Sequence, residues 1–67
     1  MDNELQMQID EFDMLMQAAL DEIATGDNDI AEDYFSDAVY ILNQIQDLKI
    51  KKELETKYLI NPLDFAK

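Results

Sequence analysis

Cysteine, histidine, arginine and tryptophan are absent from this chain, and glycine and proline occur once each. With no cysteine there is no disulfide, and with no histidine either, a structural zinc site lacks its usual ligands. A carboxylate-bridged dimetal centre built on Glu-x-x-His pairs is excluded for the same reason. One glycine cannot make a phosphate-cradling loop. Ser36, the single serine, has no imidazole or thiolate with which to work as a nucleophile. No window approaches the roughly 18 apolar residues of a membrane-spanning helix. The chain does not open on a basic stretch leading into an apolar run, the mark of a secretion signal. These absences predict a soluble protein of the cytoplasm (the host cytoplasm if the chain is viral), with no metal, no other cofactor and no enzymatic activity.

What is present is rich in acid. Sixteen Asp and Glu against five Lys give a formal charge of −11. The imbalance is sharper locally: residues 1–48 hold thirteen acids and no base, whereas residues 49–67 hold all five lysines and three acids. A field this negative repels nucleic acid and anionic membranes and attracts basic protein surfaces. Direct binding to nucleic acid or membrane is therefore not expected. Size adds a second constraint. Sixty-seven residues form one domain at most, and so short a chain removes only about 60% of its unfolded surface on folding. A core of that size rarely supplies more than ~3–5 kcal/mol, so self-association or a partner is the remaining source of stability. Disorder is countered by 48% hydrophobic residues set at helical spacing.

Leu5, Ile9, Phe12, Met16, Leu20 and Ile23 recur at spacings of three and four and define one face of a helix over residues 2–25. Ala19 lies beside that stripe, and Thr25-Gly26 reads as the helix end. A second helix over 29–46 buries Ile30, Ala31, Tyr34, Ala38, Ile41, Leu42 and Ile45, widened by Phe35 and Val39. Asp29 and Glu32 have capping-box spacing, with Asp27 as an alternative cap. Beyond residue 47 the apolar phase shifts to Ile50, Leu54 and Tyr58, which predicts a turn near Gln46–Lys49, Asp47 as a possible cap, and a third helix over 49–60. One long bending helix is the alternative. Asn61-Pro62 ends the pattern, and residues 61–67 form a further turn or a tail. The fold class is all-α: an antiparallel helical hairpin with a shorter third helix, a small three-helix bundle in one domain over 1–60.

From Gly26, an alanine follows at Ala31, a large aromatic at Phe35 and a second alanine at Ala38, while Ala19 and Leu15 precede it at small and bulky positions. This pattern resembles the tetratricopeptide helical hairpin, in which small residues let two helices approach and the aromatic fills the space between. The resemblance implies a hairpin geometry over about half the chain. Glu22 stands where that family usually has an aromatic, and Asn43 where a proline often ends the repeat. A shift by the ~34-residue period finds no second copy.

An EF-hand loop begun at Asp27 would need oxygen ligands at its fifth position, glycine at its sixth and glutamate at its twelfth. Ala31, Glu32 and Ala38 stand there, so no calcium loop is expected. Tyr40 falls on the acidic face of the second helix among Glu32, Asp33, Asp37 and Asp47. An aromatic with a polar tip in that setting is a candidate partner anchor; packing against the third helix and a merely scattered surface aromatic are the alternatives. Met7 and Met14, seven apart with Ala18 nearby, lie opposite the core stripe of the first helix. They are candidates for a homodimer interface or for contact with the third helix, ahead of a target protein. Lys49, Lys51, Lys52 and Lys57 are either a solvated face or the counterpart of the acid-rich hairpin.

Two functions follow as expectations. The first is a small acidic inhibitor or modulator that docks on a basic surface of a protein partner, with nucleic-acid mimicry as one form. Glu32, Asp33, Asp37 and Asp47, and Asp10, Asp13 and Asp21, would stand in for phosphates. In type this resembles small phage-encoded inhibitor proteins. The second is a homo-oligomeric helical adaptor or assembly protein whose acidity only keeps it soluble.

Overall fold

The computed structural model describes residues 3–58. Three α-helices follow one another there: α1 (Asn3–Thr25), α2 (Asn28–Gln44) and α3 (Leu48–Tyr58). No strand occurs among the described residues. The expectations for the end of the third helix and for residues 61–67 lie outside the described part of the chain.

The α1–α2 hairpin is joined by very little chain. Gly26 takes φ +90, the left-handed region that a glycine enters without a Cβ clash. Its amide donates to the carbonyl of Ile23 at 3.1 Å, and the Asp27 amide donates to the carbonyl of Glu22 at 2.8 Å. This pair of bonds is the Schellman closure of a helix C-terminus. Asp27 then starts α2, since its carbonyl accepts the Ala31 amide at 3.0 Å. One residue thus closes α1 and opens α2.

That economy corrects the expected capping box. Asp27 occupies the cap position with φ −91 and ψ 71 and makes no side-chain capping bond. Asp29 lies inside the first turn, so it cannot cap with Glu32. Its carboxylate still sits at the positive end of the helix dipole, where an acid is favoured.

The buried seam has alternating spacings of four and three on both helices. Phe12, Met16 and Ala19 are buried on α1, continuing from part-buried Leu5 and Ile9. On α2 the seam runs Ala31, Phe35, Ala38 and Leu42, and reaches Ile45 just beyond the helix. Phe12, Met16, Ala38, Leu42, Ile45 and Leu54 form one apolar cluster, with Leu5, Ile9, Leu15, Phe35, Ile41, Ile50 and Tyr58 packed against it. Three expected core residues are exposed instead: Leu20, Ile23 and Ile30 at 43%, 45% and 45%. Ala19 takes the inner position that Leu20 was expected to hold, while on α2 Ala31 is buried as expected and its neighbour Ile30 is not. Small residues belong next to so short a connection, because the two backbones are closest there. Ile23 keeps the spacing but lies in the last turn of α1, where the hairpin offers less cover.

The hairpin and the third helix separate where the apolar phase changes. Ile45 leaves helical geometry at φ −72 and ψ 119 while its amide still donates to the Leu42 carbonyl, and its side chain stays 2% exposed. Asp47 caps α3: one carboxylate oxygen accepts the Lys49 amide at 3.1 Å and the Ile50 amide at 3.2 Å. Leu54 then enters the core, and α3 runs back along the hairpin to Tyr58.

Candidate functional site

Asp13 holds the far end of α3. It falls on the inner flank of α1, three residues before Met16 and four after Ile9, where an acid needs a partner. Its Oδ1 accepts the Tyr58 hydroxyl at 2.8 Å and the Lys57 ammonium at 3.3 Å. The Tyr58 ring meets Phe12 edge-on, with centroids 5.6 Å apart and planes at 72°, an arrangement that aligns the positive ring edge with the negative face. Lys57 also lies 5.1 Å from the Tyr58 centroid. The hydrogen bond and charge of Asp13, with a smaller contribution from Tyr58, hold the Lys57 ammonium above its ordinary value of 10.5. One lysine of the basic cluster thus meets the acid-rich hairpin of its own chain. Sequence reading placed Asp13 in a row of acids; its position on the apolar stripe was the signal that it has a structural role.

Two flanks of the hairpin remain uncovered. On α2, Asp33, Asp37 and Tyr40 share one ridge at spacings of four and three, with Ser36 and Gln44 beside them, all exposed. Tyr40 is 65% exposed, so it does not pack under α3. Glu32, one position before Asp33, is turned about 100° round the helix and belongs to the adjoining strip. Asp47 lies beyond the helix end and its carboxylate is engaged as the α3 cap. The structure therefore brings Asp33, Asp37 and Tyr40 together and sets Glu32 and Asp47 apart from them.

On α1, Met7 and Met14 are 69% and 65% exposed, with Ala18 half-buried one turn on. Asp10 and Glu11 stand between the methionines, and Asp10 accepts a hydrogen bond from the Gln6 amide at 2.9 Å. Because these methionines are open, the alternative that α3 covers them is removed. Leu48, 76% exposed at the start of α3, is an apolar surface residue that periodicity did not single out.

Among the described residues no group of three or more His, Cys, Asp or Glu gathers to hold a metal ion. A recess of about 400 Å³ at the open end of the hairpin is lined by Glu4, Leu5, Gln8, Gln44, Gln46 and Asp47, which offers amides and carboxylates. No helix among the described residues is long and apolar enough to cross a membrane.

Fold and surface together define a small acidic three-helix protein with two open ridges. Comparison with known proteins gives no match: no family model, no curated protein and no solved structure matches the chain.

Proposed function

We propose that this protein is a non-enzymatic, acidic protein-binding module, an inhibitor or modulator that docks on a basic surface of a partner in the cytoplasm. The observation that carries the reading is charge density. Eleven carboxylates lie between Asn3 and Gln44 with no base among them. They share a rod about 34 Å long, the length of a 23-residue helix, or roughly one charge per 3 Å. Duplex DNA carries one per ~1.7 Å, so the hairpin comes within a factor of about two. Solubility needs a net charge of only about 2–8 in a small domain. A basic surface that binds nucleic acid is therefore a fitting target, with Asp33 and Asp37 replacing phosphates and Tyr40 as the apolar anchor.

The test is capture of partners on immobilised protein at low and moderate salt. Wild type and the variant Asp33→Asn/Asp37→Asn/Tyr40→Ala are compared, with duplex DNA as competitor. The expected result is a defined partner that wild type retains at about 50 mM salt, loses by about 200 mM, and surrenders to DNA. The ridge variant should not retain it. Capture that survives high salt and ignores the variant would sink the proposal. A second reading, a homo-oligomeric helical adaptor, rests on the exposure of Met7 and Met14 and predicts salt-resistant association.

A further inference from the structure

We infer that the outer ridge of α1, built from Met7, Asp10, Glu11, Met14 and Ala18, is a second docking face whose occupant is a basic amphipathic helix of a partner protein. The inference rests on the reading above that the protein binds other proteins, but it concerns the opposite flank of the hairpin and a different partner chemistry. Three observations carry it. Met7 and Met14 stand two helical turns apart on one face and are about two-thirds exposed, whereas the other long apolar residues of the first four turns of α1 point inward. Acidic Asp10 and Glu11 fill the gap between them, and both are exposed. Among residues 3–48 there is no base to neutralise them.

Each observation narrows the occupant. An apolar pair seven residues apart matches a partner helix that repeats its own anchors every two turns. Unbranched, polarizable methionine adapts to whichever side chain it meets. Carboxylates between the two methionines favour lysine or arginine between those anchors. A second copy is disfavoured by the same charges: two of these ridges face to face would bring Asp10 and Glu11 against their own kind, and like charges in an interface are repulsive. The third helix is already placed, since Tyr58 and Lys57 fix it at Asp13.

The probe is a synthetic peptide of roughly five helical turns made of leucine and lysine, with the leucines on one face. The control has the same composition shuffled so that no face forms. Binding is read by anisotropy of the labelled peptides and by the gain in helical circular dichroism. Wild type should hold the patterned peptide at least about tenfold more tightly than the shuffled one. Met7→Ser/Met14→Ser should remove about tenfold from the patterned peptide alone, a loss in the range of interface anchors. Both methionines are exposed, so this variant should fold, which its own circular dichroism checks. Asp10→Asn/Glu11→Gln should weaken both peptides and flatten their salt dependence. Tyr40→Ala should change neither.

Equal binding of the two peptides would overturn the inference, as would indifference to the methionine variant. Loss of binding in Tyr40→Ala would place the peptide on the α2 ridge and overturn it too. A wild-type dimer in sedimentation that Met7→Ser/Met14→Ser dissolves would give the face to a second copy. If the peptide fails while Tyr40-dependent capture persists, the docking face on α1 falls and the proposed function stands.

Discussion

Gly26 and Asp13 show how single residues settle geometry in so small a chain. At Gly26 the backbone has φ +90, and a Cβ placed there would meet nothing within 4 Å. The cost of a side chain is therefore purely conformational. Gly26→Ala should destabilise the protein by about 1–2 kcal/mol in urea unfolding, and Gly26→Asn by less, because asparagine visits the left-handed region more readily. An equal cost for both would show that something other than φ is at stake. At Asp13 the partner is Lys57, more than half exposed in side chain. Since folding raises the pKa of Lys57, its contribution is fully present below the ordinary 10.5 and is lost as pH rises through the higher folded value. From neutral pH upward, the stability difference between wild type and Lys57→Gln should hold at first and close above 10.5. Melting temperatures of the two across that range test this, and a difference that already closes well below 10.5 on the alkaline side of neutrality would contradict it.

At the scale of the element, the caps differ in kind. α2 begins on Asp27 without a side-chain bond, whereas α3 begins on Asp47 with two backbone amides held by one oxygen. Asp47→Ala should cost about 1 kcal/mol. Hydrogen exchange should quicken at Lys49 and Ile50 and stay unchanged at the amides near Gly26; uniform quickening would mean that the cap supports the whole fold. The extents of the helices were largely legible, because long amphipathic stretches bounded by Gly26 and by the phase change beyond residue 47 leave few choices. Which residues face inward was less so. Hydrophobicity favours Leu20 over Ala19, and periodicity places both Ile30 and Ala31 inside, yet beside the two-residue connection the alanines are buried and the larger neighbours are exposed. The break before α3, with no glycine or proline, was legible in the shift of apolar phase, but not its hinge on a buried Ile45 in extended geometry.

For the whole molecule, charge outweighs any single pair. At about 0.01 M salt the screening length is ~30 Å, comparable with the 37 Å long axis, so the acids repel one another across the protein. Near 0.1 M it shrinks to ~10 Å. Salt also weakens Lys57–Asp13, but an exposed pair contributes little. The melting temperature should therefore rise with salt; a fall would mean that attraction dominates. The acidic ridges were legible from periodicity, since Asp33, Asp37 and Tyr40 sit at helical spacing. Asp47 was legible as the cap of α3 and serves as one; the engagement of Asp13 was less so, because it depends on where α3 docks. The same connection at Gly26 and Asp27 has a kinetic side. Helices linked by two residues meet at short chain separation near the turn and can zip outward, whereas α3 needs the hairpin as its template. Leu54→Ala should then speed unfolding and leave the folding rate nearly unchanged in stopped-flow chevrons, while Ala38→Gly should slow folding; the reverse assignment would refute this order. On this order α3 docks last and leaves first, and the Phe12 face of the hairpin is bared each time it departs.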